Sequence, residues 1–148
     1  RFSNHDTARN IDMASVAIVG AGLAGVAAAL ELRDAGFRVT VFERSRHIGE
    51  RCASKPEPET FDHGAQYFTV TDPNFARVVK ALERGGGVAP WNGRIVEFRE
   101  GQYIPKCDTR RYVGVPAMRS MIESLASPLD VQTVHGSPLR ASARGAGN

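Results

Sequence analysis

Two cysteines, one tryptophan and four histidines among 148 residues leave little material for several kinds of chemistry. Cys52 and Cys107 cannot form a multi-bridge secreted framework and read as two free thiols of a cytosolic protein. His5, His47, His63 and His135 show no ligand spacing with cysteines or acids, so no metal site is expected. No apolar run approaches the roughly 20 residues needed to cross a bilayer, so no membrane association is expected. There is also no dense block of one charge. The net charge is only +3, and Arg33, Arg38, Arg44, Arg77, Arg94 and Arg119 are scattered, which argues against nucleic acid as a partner. Residues 1–12 are polar and lack the apolar centre of a signal peptide, so the expected location is cytoplasmic. What is present is ordinary for a globular chain, with 42% hydrophobic and 24% charged residues. The length suits one domain with a real core and is short for a two-domain enzyme.

The first organised stretch follows Met13. Val16, Ala17, Ile18 and Val19 read as a strand buried on both faces. Glycines stand at 20, 22 and 25, after which Leu23, Val26, Ala27 and Leu30 recur at helical spacing and Gly36 closes the helix. A second strand spans 39–42 and ends at Glu43, completing β-α-β. Residues 44–59, interrupted by Pro56 and Pro58, read as a loop. Asp72 and Pro73 then open a helix whose apolar face is Phe75, Val78, Val79 and Leu82, stopped by Gly85, Gly86 and Gly87. Asn92-Gly93 and Glu100-Gly101 carry hairpin signals. Pro116 opens a last helix with Met118, Met121, Ile122 and Leu125 on one face, and 129–134 suits another strand. After His135 only Leu139 is large and apolar, too little to offset ordering entropy.

The expected fold is therefore α/β: a Rossmann-like domain with an incomplete parallel sheet and a small antiparallel hairpin. Its expected divisions are a disordered extension over 1–13, the dinucleotide-binding β-α-β unit and diphosphate loop over 14–60, a second segment over 61–134 beginning a substrate domain, and a disordered tail over 135–148.

The chemistry sits in Gly20-Ala21-Gly22-Leu23-Ala24-Gly25, a G-x-G-x-x-G between strand and helix with an acid at the end of the next strand. Gly20 permits the turn, Gly22 lets the backbone approach a pyrophosphate, and Gly25 lets helix and strand pack closely. The pyrophosphate then rests on the helix N-terminus, and Glu43 accepts hydrogen bonds from the ribose hydroxyls. A carboxylate there repels a 2′-phosphate, so NADP is disfavoured. The competing reading is a glycine-rich helix start with no ligand.

The glycines do not separate FAD from NAD, but the next segment does. Residues 43–51, ending Ile48-Gly49-Glu50-Arg51, resemble the extension in flavin-dependent amine oxidases where a Gly-Gly-Arg element brings an arginine to the diphosphate. Arg51 matches that arginine and Gly49 the first glycine, whereas Glu50 replaces the second. Phe61-Asp62-His63-Gly64-Ala65-Gln66-Tyr67-Phe68-Thr69 resembles a segment of renalase-like proteins within the same superfamily. Tyr112-Val113-Gly114-Val115-Pro116-Ala117-Met118 is similar to their later G-x-P-x-M element.

This resemblance implies FAD as cofactor, with Gly20, Ala21, Gly22, Leu23, Ala24, Gly25, Glu43, Arg44 and Arg51 around it and Gly64, Ala65 and Gln66 near the flavin ring. It implies hydride transfer to flavin from an amine or a reduced nicotinamide-type compound. Members of that superfamily have much longer chains, so the expectation is an N-terminal FAD-binding portion of a truncated chain, with a possible complementing C-terminal chain. The alternative is a stand-alone nucleotide-binding module, or half of a split flavoenzyme, without activity of its own. His63 reads as structural, Trp91 and Phe98 as packing residues, Tyr67 and Tyr103 as candidates to line a substrate cavity, and Cys52 as an inert thiol.

Overall fold

The computed structural model describes residues 14–55, 60–106 and 109–134. The two terminal stretches expected to be disordered, and Pro56, Pro58 and Cys107, lie outside the described residues. The chain begins with β1 (Ser15–Val19), α1 (Leu23–Asp34) and β2 (Arg38–Glu43). β1 and β2 pair in parallel from Ser15 opposite Arg38 to Val19 opposite Phe42. Gly36, at φ +90°, turns the chain back after α1, the left-handed conformation that glycine adopts without steric cost.

Residues 44–55 hold more order than a plain loop, with a 3-10 turn at Glu50–Cys52 and a short strand, β3 (Ser54–Lys55). β3 pairs antiparallel with β4 (Phe61–Asp62). Next come β5 (Phe68–Thr69), α2 (Pro73–Arg84), β6 (Val88–Trp91), β7 (Val96–Arg99), β8 (Gln102–Pro105), β9 (Arg111–Gly114), α3 (Met118–Ala126) and β10 (Asp130–Thr133). The Asp72 carboxylate caps α2 by accepting the Phe75 N–H at 2.8 Å, with Pro73 in the first turn as expected.

Of the two hairpin signals one holds. Glu100 and Gly101 both take positive φ and turn β7 into β8. Asn92-Gly93 does not make a hairpin: β6 pairs antiparallel with β9, which also pairs with β5, so the second sheet is ordered β5-β9-β6. The reason is long-range. Val88 packs among the buried side chains of α2 and α3, and pairing with β9 places it there.

β10 returns to the first sheet and runs parallel to β2, giving the order β1-β2-β10. This is the third parallel strand, seated over the range read as a strand from sequence. β2 is thereby central, and Val41 is fully buried between Ile18 and Val39 of the sheet and Ala29 of α1. The larger core gathers Val26 of α1, Val79 and Leu82 of α2, and Met118, Met121 and Ile122 of α3. The Met118, Met121 and Ile122 face of α3 was legible from its spacing, and all three are buried. α3 wedges the nucleotide unit against the second sheet. Ile122→Ala removes a fully buried side chain at that wedge, and urea denaturation should show a loss of about 2–5 kcal/mol.

Candidate functional site

The glycine loop sits where β1 ends. Gly20 is at φ +100° and donates its N–H to the Phe42 carbonyl at 2.7 Å, joining the ends of β1 and β2. A Cβ on Gly25 would collide with the Gly20 carbonyl oxygen, so the helix can lie this close to the turn only with glycine there. A Cβ on Gly22 would meet nothing. Gly22 is the N-cap of α1, and the helix has neither a side-chain cap nor an acid in its first turn. Its N-terminus is thus left with backbone donors and the positive end of the dipole.

In front of it lies a cavity of about 730 Å³. Its walls come from the carboxyl ends of the three parallel strands of the described residues: Val19 of β1, Phe42 and Glu43 of β2, and Val134 after β10. In open α/β sheets this is where ligands bind. The remaining wall is Gly49, Glu50, Arg51 and Cys52, backed by Ala65.

Glu43 is 6% exposed. One carboxylate oxygen accepts the Ala21 N–H at 2.7 Å and the other accepts the Ser45 N–H at 2.7 Å. Burial pushes its pKa up, but the hydrogen bonds from Ser45 and Ala21 outweigh that and hold it below the ordinary 4.5. The Ser45 side chain and the Arg44 N–H also lower its pKa by hydrogen bonding, so the carboxylate is held ionised at the edge of the cavity that it lines. The cavity, the uncapped helix N-terminus and the ionised Glu43 fit the ADP half of a dinucleotide.

Of the residues expected to bind cofactor, Gly20, Gly22, Leu23, Ala24, Gly25, Glu43, Arg44, Arg51 and Ala65 line the cavity. Ala21 does not. It is buried and works through its backbone, donating to Glu43 and accepting the Gly49 N–H at 2.9 Å. Gly64 stands behind the wall, where a Cβ would lie 2.5 Å from the Arg51 carbonyl oxygen. Gln66 is exposed and outside the wall.

Glu50, in place of the second glycine, is accommodated because the left-handed backbone falls on Gly49, at φ +76°, and Glu50 enters the 3-10 turn. Gly49 is also the residue with no room, since a Cβ there would meet Ile122 at 3.0 Å. Phe42, Val19 and Val134 also line the wall, and their position at strand ends was the available signal; Cys52 lines it too, from the end of the 3-10 turn that carries Arg51. Burial, then the nearby Asp62 charge, raises the Cys52 thiol above its ordinary 9.0, which keeps it protonated and a poor nucleophile at neutral pH. Tyr67 and Tyr103 are outside this wall. Tyr67 stacks on Trp91 with centroids 6.0 Å apart, and Arg111 lies 5.3 Å over its ring. Tyr103 sits against Phe98 on the exposed β7–β8 hairpin. Among the described residues no cluster of side chains could hold a metal ion, and no helix is long and apolar enough to cross a membrane.

Fold and site together define a Rossmann-like dinucleotide-binding unit. Residues 18–82 match the family model described as an NAD(P)-binding Rossmann-like domain. The chain is 33% identical over 107 residues to protoporphyrinogen oxidase 2 of Arabidopsis thaliana, covering 70% of this chain and 18% of that protein. It is 33% identical over 100 residues to the FAD-dependent oxidoreductase dpchF of Colletotrichum higginsianum, covering 64% of this chain and 21% of the relative. A solved putrescine oxidase bound to putrescine is 28% identical with a TM-score of 0.46, covering 64% of this chain and 22% of that one. The match thus spans under a quarter of these proteins' own length. What the chain resembles is the dinucleotide-binding portion of FAD-dependent oxidoreductases.

The sign of the pH dependence follows from the depressed Glu43 pKa. The stability Glu43 contributes is fully present above the ordinary 4.5 and is lost as the pH falls through the lower folded value. In Glu43→Gln the amide nitrogen would face a backbone N–H. Denaturation of wild type and variant between pH 7 and pH 3 should therefore show a gap of about 1–3 kcal/mol at neutral pH that closes in acid.

Proposed function

We propose that this chain is the FAD-binding N-terminal portion of an FAD-dependent oxidoreductase of the renalase-like, amine-oxidase kind. The observation that carries the reading is the cavity at the three strand ends, with the α1 N-terminus, Glu43 and Arg51 facing one space. Gly22 lets the diphosphate approach the helix, α1 and Arg51 meet its charge, and Glu43 takes the ribose hydroxyls while repelling a 2′-phosphate. Arg44 and Ala65 complete the wall, and Gly64 holds Ala65 in place from behind.

Two further placements support the renalase-like reading. The segment from Phe61 to Thr69 and that from Tyr112 to Met118, which carry the resemblance, touch each other. Phe68 pairs with Tyr112 across β5 and β9, and the Met118 N–H donates to Asp62 at 3.0 Å. The chemistry FAD supplies when bound is acceptance of a hydride from a small-molecule donor, an amine or a reduced nicotinamide-type compound. The chain's own part is to bind, orient and exclude water from the nucleotide. That activity belongs in this proposal to the whole protein, of which this chain carries the nucleotide site.

The test is an absorbance spectrum after incubation with FAD and desalting. Flavin bands should remain with the protein, Arg51→Ala should weaken FAD binding about tenfold, and NADP should not compete. A chain that retains no flavin, or that binds NADP as well as FAD, would overturn the assignment.

A further inference from the structure

Asp62 lies outside the cavity wall, yet two other parts of the structure, β3 and α3, converge on it. Its Oδ1 accepts the Ser54 hydroxyl at 2.6 Å and the Met118 N–H at 3.0 Å. Met118 is the first residue of α3, and the helix's own N-cap, Ala117, has no side chain that could cap it. A helix start needs acceptors for its first N–H groups, and a buried one without them is costly. Asp62 supplies that acceptor from 56 residues away, with a charge that also suits the positive end of the helix. Ser54, itself buried, accepts the Arg119 N–H through its hydroxyl at 3.4 Å, and its carbonyl accepts from the Arg119 guanidinium at 2.6 Å.

What α3 does once held there reaches the cavity. Ile122, one turn along, is seated beneath Gly49 so closely that a Cβ on the glycine would press into it. Gly49 begins the 3-10 turn that presents Glu50 and Arg51 to the cavity. The same turn is laced from the other side by the residues that follow Asp62. The Ala53 carbonyl accepts the N–H groups of His63 and Gly64, both at 3.2 Å, and the Arg51 carbonyl accepts that of Ala65 at 2.8 Å. The position of the Arg51 turn is therefore fixed by α3 below and by the segment 63–65 beside it, and both are anchored at Asp62.

We infer that Asp62 is a positioning residue for the diphosphate-binding turn: by capping α3 in trans it holds the Arg51 turn against the cavity, without touching the nucleotide. The inference rests on the nucleotide-site reading above. It predicts a split that general loss of stability would not give. AMP needs only the half of the site built from the glycine loop and Glu43, whereas FAD also needs the turn.

The experiment is titration of the whole chain with FAD and with AMP, by calorimetry, for wild type, Asp62→Ala, Asp62→Asn and Ser54→Ala. Asp62→Ala, which loses both the Ser54 and the Met118 hydrogen bonds, should bind FAD about tenfold more weakly, with AMP affinity within about twofold of wild type. Asp62→Asn keeps an Oδ1 acceptor for both donors and should recover most of the FAD affinity. Ser54→Ala, which leaves the Met118 bond intact, should lie between wild type and Asp62→Ala and serves if the latter does not fold. Equal losses for FAD and AMP, or unchanged FAD binding in both Asp62→Ala and Ser54→Ala, would overturn the inference while leaving the nucleotide site standing. Wild type that binds neither ligand would overturn the nucleotide reading itself, and the inference with it.

Discussion

The cavity at the strand ends depends on one buried carboxylate. Glu43 closes β2, and its two oxygens take the N–H of Ala21 from the glycine loop and the N–H of Ser45 from the segment leaving the sheet. A buried charge is tolerable only when it is hydrogen-bonded, and here backbone amides satisfy it on both sides. The consequence is that the turn after β1 and the turn after β2 are fixed relative to each other before any ligand arrives. Gly20 adds the second tie through its bond to the Phe42 carbonyl. With both ties in place, the start of α1 is aimed at the cavity, and a ligand need not supply the ordering energy of that loop.

The β-α-β half of the site was legible in the sequence because every constraint on it is local. The G-x-G-x-x-G spacing, the apolar runs and the acid at the strand end all lie within residues 15–43, and each glycine has a steric or conformational reason that can be read without a structure. Gly25 lies where the helix approaches the turn more closely than any side chain would permit, and Gly20 takes the positive φ of the turn. The apolar face of α3 and, apart from the exposed Val78, that of α2 were legible for the same reason, namely that helical periodicity is a short-range signal.

What was not legible depends on contacts between distant residues. Nothing near Asn92-Gly93 reveals that β6 turns away from β7 and pairs with β9. Likewise, Ala117 gives no hint of a cap for α3, because the acceptor is Asp62, in a segment whose sequence was noticed only for its resemblance. Glu50 was the least readable position. Counting residues puts it where a second glycine belongs, but the demand for a left-handed backbone falls on Gly49 alone. The spacing located the turn, and the left-handed backbone of Gly49, packed tightly on Ile122, decided which residue is best a glycine.

The two walls of the cavity thus differ in how they are held. The wall made by the glycine loop and Glu43 belongs to one short stretch of chain and is secured by hydrogen bonds within it. The wall that carries Glu50 and Arg51 is secured from outside, by α3 beneath it and by residues 63–65 alongside. A substitution in α2, β6 or β9 that loosens the core around Met118 and Ile122 can therefore reach the second wall without disturbing the first. Such coupling runs through packed side chains and a few long-range hydrogen bonds, and it makes the Arg51 side of the cavity the part whose geometry depends on the rest of the fold.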